Sequence, residues 1–447
     1  MTTPVAPTLK KGHESDVLDS YKKFLHTEKS NHDLLFLNEV GIKKFESLKF
    51  PRRKHEMFTF VNTTELVSSG LDSYDHRSND SYTTLIRPHI YPGCGRSLIT
   101  LVNGVYNESL SDISALDGAV KIKPLDKAVA DPEIRQYLVD AVEKENDVFA
   151  AVNSAFAAQG ILIEIEPFAK LPTPLQILNF STGLKSVSAM TTPLTFVKAG
   201  AGSDAKILLK YAGARCSGFI NSVHHFKLED GAFLKYVQVN DDNHDVWNFA
   251  KNRVTLGAGA KFSATDISTG ARLYRSHYEA RMQGEGAEFY LNSGAVLSGS
   301  DQSHVYAQVH HESPNCVSDQ IFRNVVLDNS RSSVDTTVIV HRGAQLTKSD
   351  QMIKNMVLTD HGHADSKPNL MIYADDVKCA HGATTGKIDE EQLFYMRARG
   401  LSEKEARLKL IAGFIEGVFR DVEDFTGIDD IQRSLFSKLE LPYDKAG

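Results

Sequence analysis

Cysteine is scarce and scattered. Cys94, Cys216, Cys316 and Cys379 are the only four in 447 residues, and no two of them form the CxxC pair of a local zinc site. Separate thiols of this kind fit a chain held reduced in the cytoplasm. Long apolar runs are also missing: no stretch reaches the roughly 18 residues needed to span a bilayer. The opening segment Met1 to Val17 lacks the apolar core of a signal peptide. The expectation is a cytoplasmic chain with no membrane partner. Nor is there an excess of positive charge, since 50 Lys and Arg stand against 57 Asp and Glu, a formal net of −7. That balance supports solubility and offers nucleic acid no broad attraction.

Two motifs that suggest chemistry lack the required spacing. Gly382-Ala-Thr-Thr-Gly386-Lys387 has three residues between its glycines where a Walker A loop needs four, and Ile388 stands where Ser or Thr is required. ATP is therefore not expected to bind here. His310, His311 and Glu312 suggest a metal, but the HExxH helix pattern is absent. Adjacent strand residues face opposite ways, so His310 and His311 would not readily share one ion and read as structural.

What is present is an ordinary soluble composition, 41% hydrophobic and 24% charged. The chain is too long for one simple core, which leaves two or three domains or one elongated repeat body. Residues 1–160 read as mainly helical. Apolar residues recur at helical spacing over Ser15 to Thr27 and Asn31 to Lys49. Asp131-Pro132-Glu133 then opens a helix expected to run to about Phe149, with a short one ending near Gly160. From Ile161 to Lys387 polar and apolar residues alternate in successive runs, as in Ala205 to Tyr211, Phe233 to Val239 and Lys261 to Ile267. Gly-Ala pairs open strands at Gly200, Gly231, Gly259, Gly286 and Gly343, as corners of stacked coils would require. The fold expected is mainly β, a β-helix solenoid with helical ends. Residues 388–447 turn helical again: Asp389 to Gln392 and Ser402 to Glu405 form capping boxes, and Gly400 closes the first helix. Ala406, Leu410, Ile411, Phe414, Ile415, Val418 and Phe419 form one apolar stripe. The expectation is a two-helix module capping the solenoid, docking a partner, or both.

The run Lys367-Pro-Asn-Leu-Met-Ile-Tyr-Ala-Asp-Asp-Val-Lys-Cys379-Ala-His381-Gly-Ala-Thr-Thr-Gly-Lys-Ile-Asp389, followed by Gln392-Leu-Phe-Tyr-Met-Arg-Ala-Arg-Gly400, strongly resembles the signature of the SufB/SufD family of iron–sulfur cluster assembly scaffolds. Gly382 after His381 matches the SufD side, because SufB chains carry Glu there. Phe50-Pro-Arg-Arg-Lys-His-Glu56 and Asn153-Ser-Ala-Phe156 add weaker likeness. Phe58 replaces a usual tryptophan, and Met371 a frequent glutamate.

The resemblance implies a right-handed parallel β-helix that pairs with SufB through its coils and with the ATPase SufC through its C-terminal helices. It implies a non-catalytic scaffold with no tightly bound cofactor, with iron or a transient cluster held at the SufB interface. Cys379 and His381, spaced i and i+2, would share one strand face and offer a thiolate and an imidazole to such an ion. Phe394, Tyr395, Arg397, Arg399, Gly400, Phe414 and Phe419 are the residues expected to meet a partner. His361, His363 and Asp365 form a second, weaker candidate set. Two other classes compete. A polysaccharide lyase or hydrolase needs converging carboxylates, whereas Asp375 and Asp376 would face opposite ways on a strand. A standalone metal-dependent enzyme would hold its own ion.

Overall fold

The computed structural model describes residues 13–26, 32–52, 55–73, 82–116, 118–214, 216–241 and 245–439. Thr27, Asn31, Arg53 and Lys54 lie outside the described residues. Alternating strands pass between two sheets of 11 and 10 strands, and the coils stack into a parallel solenoid of about 7 turns. Stacking is in register, so each inward residue lies level with inward residues of the coils on either side. Tyr236, for example, lies between Ile207 and Ala264.

The corners explain the glycine spacing. Gly231, Gly259 and Gly286 have φ of 66°, 60° and 69°, left-handed values that cost L-residues about 1–2 kcal/mol. That conformation turns the backbone N–H toward the next coil, as in Gly231 N to Ala258 O at 2.8 Å and Gly259 N to Glu285 O at 2.9 Å. Gly200 and Gly343 do not have this conformation. Their coils place Gly202 (φ 65°) and Leu346 (φ 60°) at the corner instead, and Asn315 (φ 60°) fills it between.

The lumen between the sheets is filled by one apolar cluster that includes Ile207, Leu234, Phe262, Phe289, Val305, Val338 and Ile353. The outer face of the 11-stranded sheet is covered by the N-terminal helices, with Phe219, Trp247 and Phe249 packed against Phe45, Phe149 and Phe156. The helix opened by Asp131 stops at Glu143, and a separate helix, Val148–Ala155, follows. The single helix expected to Phe149 is broken because Asp147 caps the second helix and Glu145 turns inward to Lys251 and Arg253.

The C-terminal residues form three helices, Glu390–Ala398, Glu403–Glu416 and Ile428–Ser437. They do not cap the solenoid. Ile415, Val418, Phe419 and Val422 cover Leu208, Val237, Ile267, Val296 and Val325 on the outer face of the 10-stranded sheet. Arg323 reaches across to donate to the carbonyl of Phe414. The approach is so close that a Cβ at Gly417 would lie 2.5 Å from the guanidinium. Arg420 with Asp319 (2.6 Å) and Asp424 with Lys206 (2.7 Å) fasten the rest. Because these helices lie along the flank, the last coil, formed by strands His363–Ile372 and Val377–Gly386, ends both sheets with no strand beyond it among the described residues.

Candidate functional site

The open coil carries the signature residues. Cys379 lies level with Ser349 and His381 with Gln351. Those columns continue inward through Ser318 and Gln320 to Phe289 and Leu291, so both side chains are on the luminal face, at the mouth of the solenoid. Cys379 is half-buried against the luminal cluster, and His381 is exposed. On the opposite lip the register puts Ser366, Leu370 and Ile372 above luminal Val334, Val338 and Val340. The i, i+2 reading of Cys379 and His381 therefore describes their placement correctly.

The lumen becomes polar toward this mouth. Beneath Cys379, the Ser349 and Ser318 hydroxyls are 2.8 Å apart, and His311 Nε2 lies 2.9 Å from Ser318. Beneath His381, Gln351 donates to Thr336 at 3.1 Å and Thr336 to Gln320 at 2.6 Å. Burial, then the Asp350 carboxylate, push the Cys379 thiol above its ordinary pKa. At neutral pH it is a thiol, and binding a metal would have to displace its proton.

The weaker set is not assembled. His361 lies in a turn, and His363 begins the last strand of the other sheet, opposite Arg331. Asp365 is engaged by Arg331 at 2.7 Å. Asp375 and Asp376 are not strand residues. They form the bend between the last two strands, where the Asp376 carbonyl accepts from Leu346 N at 2.7 Å.

On the first C-terminal helix only Leu393 is buried. Phe394 and Tyr395 are 74% and 58% exposed, Arg397, Arg399 and Gly400 are also exposed, and Arg399 donates to the Tyr395 hydroxyl. Phe414 and Phe419 differ from them: Phe414 is half-buried beneath Arg323, and Phe419 is in the flank core. Phe419 is fully buried there, whereas Phe414 keeps part of its ring exposed. Of the two expected capping boxes, Ser402 with Glu405 forms a full one, whereas Asp389 caps its helix by accepting from the Glu391 and Gln392 N–H groups without the reciprocal Gln392 bond; Gly400 has the expected left-handed φ of 95°.

Residue-by-residue reading missed two features. The first is a buried charge network under the N-terminal helices: Asp147 with Arg275 (2.6 Å) and His277 (2.9 Å), and Glu145 and Glu279 with Lys251 and Arg253. Burial alone would raise the Asp147 carboxyl, but Arg275 and His277 hold it well below the usual range. The second is on the outer face of the 11-stranded sheet, where His310 meets His341 of the next coil. Burial, then Arg281, push His310 down to about 4. A coil-length offset was the available signal for the second, His310 and His341 being 31 residues apart, whereas Asp147 and Arg275 are 128 apart and carry no such signal.

Comparison with known proteins agrees with this architecture. The family model for the SufBD core domain of the SUF FeS cluster assembly system matches residues 181–414, and that for the SufBD N-terminal region matches 15–177. An iron–sulfur cluster assembly SufBD family protein of Synechocystis is 25% identical over 82% of this chain and 83% of its own length. The iron–sulfur cluster assembly protein SufD of Escherichia coli is 25% identical over 81% and 83%, and SufB of Bacillus subtilis 25% over 70% and 67%. With the coils, the open edge and the signature strand in place, the chain belongs to the SufBD family of the SUF iron–sulfur cluster assembly system.

Proposed function

We propose that this chain is a SufD-like scaffold that pairs edge to edge with a SufB chain through its last coil and holds a SufC ATPase on its C-terminal helices. The observation that carries the reading is the uncapped coil. Two strands of 10 residues each present an unpaired backbone row, and natural proteins do not leave such an edge exposed without a use. Among the described residues, Leu346, Met352, Met371, Ile372 and Tyr373 are large apolar side chains exposed on the last two coils, a concentration that marks an interface rather than scattered surface.

In this reading Cys379 and His381 lie where the partner's edge would arrive. Thiolate and imidazole suit iron or a nascent cluster, which is cargo here, and the remaining ligands come from the partner. The protein positions the cargo and does not catalyse a reaction of its own. The exposed face of Phe394, Tyr395, Arg397 and Arg399 suits the ATPase, because aromatic and arginine side chains make effective anchors. Separate thiols fit work in the reducing cytoplasm.

Anaerobic co-purification of the full chain with SufB and SufC tests this. The expected result is a ternary complex that loses SufB when Met371 and Ile372 become Asp, and loses SufC when Phe394 and Tyr395 become Asp. Failure of the intact chain to retain either protein would refute the reading.

A further inference from the structure

The sequence motif His310-His311-Glu312 fails as a chelate within one strand, because His311 points into the lumen, where it meets Ser318 at 2.9 Å. Coil stacking supplies a different third ligand. His341, 31 residues on, follows the next strand of the same sheet, its N–H donating to the His311 carbonyl at 3.0 Å. His310 Nδ1 and His341 Nε2 are 3.3 Å apart, and ligand atoms of His310, Glu312 and His341 all lie within 4.8 Å of one another. Among the described residues, this is the one group of three or more His, Cys, Asp or Glu side chains so close together.

We propose that His310, Glu312 and His341 bind one divalent first-row transition ion of the zinc and ferrous class. A tetrahedral ion with metal–nitrogen bonds of about 2.0–2.1 Å holds two ligand nitrogens about 3.3 Å apart, the spacing already present here. The ion takes the place of the bridging proton, which moves to the far nitrogen of its own ring, so both imidazoles bind as neutral ligands. Two imidazoles and one carboxylate form a borderline donor set that favours zinc or ferrous iron over calcium or magnesium, and a fourth position stays open for water or a partner group. All three side chains are half-buried. Arg281 Nη1 donates to Glu312 Oε1 at 2.7 Å, which orients the carboxylate as an outer-shell partner does, and a second carboxylate oxygen remains for the ion. The ligands come from two successive coils, so the ion also ties those coils together. The site is separate from Cys379 and His381, which belong to the other sheet, and it does not depend on the pairing proposed above.

The test uses the full chain carrying Cys379→Ala and His381→Ala, so that the mouth contributes no ligand. Zinc is titrated in competition with a chromophoric chelator, and cobalt is used as the spectroscopic probe. The expected result is one equivalent bound at micromolar metal or below, a cobalt spectrum without a thiolate charge-transfer band, and a raised thermal midpoint. Affinity should fall at least tenfold in His341→Ala and in Glu312→Gln. Far-UV circular dichroism checks that each variant is folded, and the near-isosteric Glu312→Gln decides the matter if the histidine variants are not. No binding by the parent, or unchanged affinity in Glu312→Gln and in a folded His310→Ala/His341→Ala variant, would overturn the proposal and leave the contact an imidazole–imidazole hydrogen bond.

Discussion

The two ends of the solenoid are finished in opposite ways. At the start, the sheets terminate in short antiparallel strands, Val105–Tyr106 and Val120–Pro124. The second of these carries Lys121 and Lys123, ion-paired to Glu166 and Glu164 at 2.6 and 2.7 Å, and ends on Pro124. Short length, charge and proline are the devices that blunt an edge. At the other end the strands keep their full 10 residues and expose Met371, Ile372 and Tyr373. The difference teaches that the open end is a built feature. One chain uses edge protection at the start and omits it at the open end, as the proposed pairing requires.

The largest effect is expected in the closed body. Asp147→Asn leaves Arg275, 2% exposed at its side chain, without its counter-charge, and breaking a buried pair costs about 3–5 kcal/mol. Urea melts should show the N-terminal helices loosening first, while binding of the partner at the far end persists. Equal loss at both ends would mean that the two regions are not separable.

Acid should act on the same body. Burial pushes His224 and His304 down to about 3 and His277 to about 4. The unfolded chain therefore binds protons that the folded chain refuses as pH drops below about 6.5. Asp266 opposes one of them, since burial raises it to about 6 and the folded state takes up that proton first. These four groups alone net two protons, about 3 kcal/mol of stability lost per pH unit between pH 6 and 4, and His225, His310 and His311, which burial also pushes down, steepen the fall. The fall would be read from urea midpoints. A flat profile would contradict the buried neutral histidines.

At the open end, replacing Met371 and Ile372 by Asp should weaken SufB binding at least tenfold, about 1.4 kcal/mol. Stability should stay within about 0.5 kcal/mol, as is usual for exposed positions. The smallest effect is at the corners. Gly259→Ala places a Cβ in open space but at φ 60°, and should cost about 1 kcal/mol in thermal melts without altering binding.

Much of this was legible in the sequence because coil stacking repeats a local pattern. Alternation marked the strands, Gly231, Gly259 and Gly286 marked corners, and the i, i+2 spacing put Cys379 and His381 on one face. Caps were equally local, as at Asp389 and Ser402. What was missed depends on which surface meets which. The stripe through Ile411, Ile415 and Phe419 announces burial but does not say against what, so a cap, a partner dock and the observed flank all fit it equally. Asp147 with Arg275, and His310 with His341, are contacts between distant segments or between coils. No window of neighbouring residues contains them.

The most direct test of the open-edge account is amide hydrogen exchange of the chain alone and bound to SufB. The account predicts that new protection on binding will concentrate in residues 363–372 and 377–386, with the strands of the closed end unchanged. A stable complex in which those two strands exchange as fast as in the free chain would contradict it.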